Sequence, residues 1–195
     1  MDIKYIQADK LDFDPRPQMA KIFAEGFAHL FTAFSKDTKL LAKAFTHVFD
    51  LQYFHVAIQG NVIMAMAACT GGISPIRFDK NICRKELGFL RGWMAYSQLT
   101  KYIVNHKFPF DFSLSMGRIE VVGTAAEHQG KGMAYNLLKH IIESTPYTEY
   151  ILEVLDDNVG AVKLYEKLGF ETFKKVNTVI NAKTNAFLYM KCTSE

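Results

Sequence analysis

The 195-residue sequence predicts a single α/β domain: a mixed, mostly antiparallel sheet flanked by helices, with a helical insertion over residues 74–112. Three observations lead there. The stretch YFHVAIQGNVIMAMAACTGG reads as two apolar strands joined at Gln59-Gly60-Asn61, a hairpin signal. SLSMGRIEVVGTA, a helical repeat over 130–144 and EYILEVL form a strand–helix–strand unit, whose right-handed crossover makes residues 113–123 and 149–155 parallel neighbours. No polar linker, internal repeat or low-complexity segment divides the chain.

The remaining elements follow in order. Residues 2–7 form a short first strand. From Pro17, Met19, Ala20, Phe23, Phe27, Leu30 and Phe31 recur at helical spacing. Asp37 is placed to cap a second helix carrying Leu40, Leu41, Ala44, Phe45 and Val48. Arg77 to Lys107 reads as helix, with Trp93, Tyr96, Leu99 and Ile103 along one face and Pro109 beyond its end. Val159–Leu168 is a further helix, and ETFKKVNTVI with AFLYMKC makes a closing antiparallel pair. His55 falls inside a strand and reads as an interior or edge histidine, whereas His128 is expected to face solvent.

Composition narrows the function. Hydrophobic residues make up 49% of the chain and charged ones 22%, an ordinary folded composition. The net charge of +3 comes with no long basic run, so nucleic acid is not expected as a partner. The longest apolar run, Val62 to Cys69, is too short to span a bilayer, and no membrane partner is expected. Met1-Asp2-Ile3-Lys4 lacks the apolar core of a signal peptide. Cys69, Cys83 and Cys192 are scattered and odd in number, which suits reduced thiols and a cytoplasmic location. No His or Cys pair has metal-ligand spacing, so no metal is expected.

HQGKGMAYNLLKHII concentrates the functional signal. Ala134, Leu137, Leu138, Ile141 and Ile142 form one apolar helix face, and Gly130-Lys131-Gly132 falls where its first turn should be. The first amides of a helix lack intrahelical partners and carry partial positive charge. Glycine lets a ligand approach them without a β-carbon in the way, an arrangement suited to a phosphate or pyrophosphate. Lys131 adds charge from the side. The plainer reading is a turn that only connects strand to helix. The P-loop pattern fails, because Gly132 stands where a Ser or Thr should follow Lys131. The dinucleotide pattern G-x-G-x-x-G fails at Tyr135.

What fits is Q-x-x-G-x-A, as Gln129-Gly130-Lys131-Gly132-Met133-Ala134, which resembles the acyl-CoA pyrophosphate loop of the GNAT superfamily of N-acetyltransferases. A second stretch, LEVLDDNVGAVKLYEKLGF from Leu152 to Phe170, is similar to another signature of that family. The two together span about residues 113–173. The chain departs from the family at Ala126, where many members have proline, and in the long 74–112 insertion, which bears on the acceptor rather than on the cofactor.

The resemblance implies transfer of an acetyl group from acetyl-CoA (coenzyme A as the carrier) to a primary amine, with a small-molecule acceptor expected. It implies that Tyr165 protonates the departing thiolate, in the motif Leu-Tyr-Glu-Lys-Leu-Gly-Phe. Its alternative role is a packed aromatic beside Ala161, Leu164 and Leu168. Two carboxylates compete for the base. Glu153, in ILEVL, matches the proposed base of ribosomal-protein alanine acetyltransferases; Glu120, in RIEVV, matches that of spermidine/spermine acetyltransferases and is preferred. Either would alternatively serve an ion pair, and Arg118 lies on the Glu120 face. By the same resemblance, backbone groups of Val122 and Thr124 hold the pantetheine and polarise the thioester, and Asn158 bonds the pantetheine arm unless it is only a helix N-cap. An acyl-CoA-binding module without turnover is the runner-up. The sequence leaves the acceptor and the oligomeric state open, a homodimer included.

Overall fold

The computed structural model describes residues 2–105, 108–113, 115–180 and 183–194. Seven strands form one sheet in the order β1-β2-β3-β4-β5-β7-β6. They are β1 (Lys4–Gln7), β2 (Phe54–Gln59), β3 (Val62–Thr70), β4 (Met116–Thr124), β5 (Glu149–Leu155), β6 (Glu171–Ile180) and β7 (Lys183–Thr193). Only the β4–β5 pair is parallel; the other pairs are antiparallel, as the hairpin pattern predicts. Leu114, within the expected 113–123 strand, lies outside the described residues, and β4 begins at Met116.

Helices cover both faces of the sheet. On one lie α1 (Arg16–Gly26), α2 (Ala28–Phe31), α3 (Thr38–Phe45), α4 (Lys80–Leu87) and α5 (Phe89–Leu99). Their core joins Phe23, Phe31 and Phe45 to Phe54, Val56 and Met66 of the strands. On the other face α6 (Met133–Ser144) and α7 (Val159–Lys167) bury Leu137, Leu138, Ile141 and Tyr165 against Ala65, Ala67, Ile119 and Leu152. Because β2 and β3 are covered on both sides, both sets of their alternating side chains are buried over most of their length, and in β3 both are almost entirely apolar. The helix expected from Pro17 through Phe31 is interrupted at Phe27. Asp37 caps α3 as expected, accepting from the amides of Lys39 (2.9 Å) and Leu40 (3.1 Å). Val48 lies beyond that helix.

The insertion departs most from expectation. The single helix read over Arg77–Lys107 is two helices followed by a π-helical turn at Thr100–Val104, and its expected end at Lys107 lies outside the described residues. Asp79 starts α4 by accepting from the amides of Asn81 and Ile82. Gly88, with φ +85°, ends it, a backbone state that costs glycine little. The two helices then cross closely at Gly92, where a β-carbon would lie 2.3 Å from the Cys83 carbonyl oxygen. The buried stripe of α5 is therefore Gly92, Ala95 and Leu99, and Trp93 faces outward.

Candidate active site

The site begins where β4 and β5 part. Their ladder holds only Met116–Glu149, Gly117–Tyr150 and Arg118–Ile151; beyond it each strand runs on without the other. Along β4 the separation coincides with a β-bulge: Glu120 pairs with Ala68 and Gly123 with Met66, leaving Val121 and Val122 opposite Ala67 alone. Val121 has φ +53°. A β-branched residue there is strained, and such strain persists only where the surroundings enforce it. Two residues on, α1 presses so close that a β-carbon on Gly123 would meet Ile22 at 2.8 Å.

Glu120 and Glu153 each stand two residues past the last β4–β5 pair, on the sheet face covered by α1 and the insertion. They therefore flank the opening. Arg118, only 5% exposed, forms an ion pair with Glu120, donates to the Ile73 carbonyl at 3.4 Å and lies 5.0 Å from the Phe108 ring centre. Glu153 pairs across the ladder with Tyr189 and is hydrogen-bonded to its hydroxyl. Burial first, and then that bond, raise the Tyr189 pKa and keep its proton on. Phe108 and Phe110 pack on the Tyr189 ring, with centroids at 5.7 and 5.6 Å, and Lys174 bonds the Pro109 carbonyl at 2.7 Å. The end of the insertion is thereby fastened over the face that carries both carboxylates. The Arg118–Glu120 pair is the ion-pair alternative that the sequence offers for Glu120, whereas Tyr189 is not singled out there: a tyrosine 36 residues from its partner leaves no local signal.

The opposite face carries the glycine loop. The expected helix over 130–144 starts later, at Met133. Gly130 (φ +72°) and Gly132 (φ +78°) form a left-handed turn ahead of it, so they shape the approach to the helix rather than its first turn. No neighbouring atom lies within 4 Å of a β-carbon placed on Gly130, and on Gly132 only the Asn136 amide nitrogen does, at 3.8 Å. The space above the loop is open. The first helical bond here runs from the Asn136 amide to the Gly132 carbonyl, so the amides of Met133, Ala134 and Tyr135 have no partner four residues back. Gln129 donates to the Thr124 carbonyl at 3.4 Å, tying the loop to the end of β4. Lys131 bonds the Glu127 carbonyl at 2.7 Å and holds a cation beside the loop. Open glycines, unpartnered amides and a flanking ammonium together fit a pyrophosphate.

Tyr165 lies on this face, buried against Phe170, and burial alone raises its pKa. It therefore stays protonated and remains a donor. The Asn158 side-chain oxygen accepts from the Ala161 amide at 3.3 Å and so caps α7. His128 is half-buried rather than fully solvent-facing. Cys69, Cys83 and Cys192 are free and buried; burial raises their thiol pKa values to about 12, 11 and 12, which leaves them protonated. Among the described residues, no group of three or more His, Cys, Asp or Glu side chains could hold a metal ion.

A sheet parted beside a glycine loop and a helix N-terminus defines an acyltransferase scaffold. The sequence profile of the Acetyltransferase (GNAT) family matches residues 17–170, and the chain belongs to that family. Mycothiol acetyltransferase of Mycolicibacterium smegmatis is 33% identical over 87 residues, which is 42% of this chain and 30% of that protein. The chain thus matches less than a third of that relative's length. Solved structures share the fold. The Salmonella typhimurium protein yncA, with its cofactor acetyl-CoA, aligns at a TM-score of 0.60 with 15% identity, covering 99% of this chain and 94% of that one. The ribosomal-protein-S18-alanine N-acetyltransferase from Escherichia coli aligns at 0.56 with 14% identity, covering 100% and 95%.

Proposed function

We propose that the protein is an acetyl-CoA-dependent N-acetyltransferase acting on a primary amine of a small molecule. The observation that carries this reading is the parting of β4 and β5 after Arg118–Ile151, with the glycine loop on one sheet face and two carboxylates on the other. The gap is the path between them. Gln129, Gly130, Lys131, Gly132, Met133 and Ala134 receive the pyrophosphate. Backbone groups at the bulge, Val122 and Thr124, align the pantetheine arm and the thioester carbonyl. Asn158 spends its side-chain oxygen on the α7 cap, which leaves its amide nitrogen to meet the arm.

The amine attacks the thioester carbonyl carbon from the carboxylate side. Its proton passes to Glu120, the preferred base, with Glu153 the competitor; a general base of this kind typically contributes about 10²–10⁴-fold. Arg118 offsets the repulsion of two carboxylates facing one opening. Tyr165, on the far side, gives its proton to the departing thiolate. The deciding experiment is free-thiol release from acetyl-CoA across a panel of amines, with Glu120→Gln and Glu153→Gln in parallel. The base variant should lose about 10²-fold or more and recover as pH rises and the amine deprotonates unaided. Acetyl-CoA binding without thiol release for any amine would favour a regulatory acyl-CoA-binding module.

A further inference from the structure

The insertion carries an exposed apolar face. On α5, Phe89 is 72% exposed, Leu90 66% and Trp93 47%. Spacings of four from Phe89 and three from Leu90 set Trp93 between the two on one side of the helix. The opposite stripe, Gly92, Ala95 and Leu99, is buried, so the outward apolar face is not a frayed piece of core. The same stretch of sequence is rich in positive charge. From Arg77 to Lys101 there are six cations (Arg77, Lys80, Arg84, Lys85, Arg91, Lys101) and two carboxylates, Asp79 and Glu86. Both carboxylates are engaged, Asp79 as the α4 cap and Glu86 with Lys43 at 2.8 Å. That segment is +4 in a chain of +3, so the remainder is −1 overall. Arg84 stacks its guanidinium 3.8 Å from the Phe89 ring centre and so brings charge to the rim of the apolar face.

We propose that α5 docks on an anionic lipid surface, with Phe89, Leu90 and Trp93 entering the headgroup region and the surrounding Lys and Arg side chains meeting lipid phosphates. An exposed Trp/Phe/Leu face bordered by basic residues is the pattern of an interfacial helix. Charge selects this occupant: a second copy would bring the same cations against themselves. The expectation of no membrane partner weighed spanning segments, and among the described residues no helix is long and apolar enough to cross a membrane. An interfacial helix does not need to cross. The proposal stands apart from the catalytic reading, since none of its residues belongs to that site.

Trp93 is the chain's single tryptophan, so its fluorescence reports this helix alone. The purified protein is titrated with vesicles of pure phosphatidylcholine and with vesicles containing phosphatidylglycerol, in parallel with co-sedimentation. Anionic vesicles should shift the Trp93 emission to shorter wavelength and bind at least about 10-fold more strongly than neutral ones, and 0.5 M salt should remove most of that difference. Phe89→Ser with Leu90→Ser should abolish the shift, and Lys85→Glu with Arg91→Glu should abolish the preference for anionic lipid. All four side chains are exposed, and retained circular dichroism checks that the variants fold. No binding to either vesicle, or equal binding to both, overturns the proposal. So does a concentration-dependent dimer whose Trp93 emission is already shifted without lipid, because the face would then join two copies.

Discussion

His55 makes the fold acid-sensitive by a calculable amount. It is 5% exposed on β2, with its ring 6.0 Å from that of His140. Burial, followed by the nearby His140, lowers its pKa from 6.5 to about 4, and Asp9 offsets only part of this. Tyr5 and Lys10 line the same cavity, of about 330 Å³. Because the folded pKa is depressed, the unfolded chain takes up a proton below pH 6.5 while the folded chain resists until about pH 4. The contribution of His55 to stability is therefore flat above pH 7 and falls as the pH drops through this window. The full difference of about 2.5 pH units corresponds to about 3 kcal/mol, and about 2.5 kcal/mol of it is lost by pH 4.5. For a chain of this size that lowers the thermal midpoint by roughly 5–10 °C. The perturbation is His55→Leu, which removes the titration and keeps an apolar strand position. Urea unfolding of both proteins at pH 7.5 and 4.5 isolates the term, since carboxylate contributions are common to both. The variant should lose about 2.5 kcal/mol less than the parent between the two pH values. Equal losses would show that His55 titrates alike in the folded and unfolded chains, and the burial argument would fail.

Gly132→Glu should abolish CoA binding measured by calorimetry, because it puts bulk and negative charge at the α6 N-terminus; the left-handed φ of +78° should also cost about 1–2 kcal/mol of stability. Tyr165→Phe should lower kcat and kcat/KM together by about 10²–10⁴ in steady-state assays, with little change in the KM for acetyl-CoA, since the hydroxyl acts as the carbon–sulfur bond breaks. Gly92→Ala should destabilise the insertion by about 1–3 kcal/mol, seen as faster amide exchange in α4 and α5, because the new methyl group would meet Cys83 backbone.

What the sequence disclosed follows the range of the forces involved. Strand pairing at 53–72 and the Asp37 cap depend on neighbours within a few residues and appear where expected, and the β4–α6–β5 unit appears with its order and parallel pairing as expected although β4 and α6 start three residues later. The glycines at 130 and 132 mark the approach to a helix in the sequence, but their left-handed turn moves the helix start to Met133, a distinction an apolar repeat does not encode. The apolar pattern continues across Gly88, although one glycine with positive φ suffices to end a helix. Trp93 turned outward because the side of α5 that is covered is chosen by Cys83 crossing at Gly92, a tertiary fact. The strain at Val121 had no sequence signal, since a valine in a strand suggests ordinary extended backbone.

The three-pair junction between β4 and β5 also has a mechanical consequence. It divides the sheet into leaves of four and three strands that share a spine at one end. Beyond the spine, each leaf has an edge facing the other inside the molecule. A ligand lodged there and bonded to both edges acts as a clasp. At a ligand concentration of 100 times its dissociation constant, such a clasp adds about 2.7 kcal/mol to folding stability. That gain should spread beyond the atoms touched, slowing hydrogen exchange along β5 and β7 as well as β4, so that two leaves able to breathe separately open only as one.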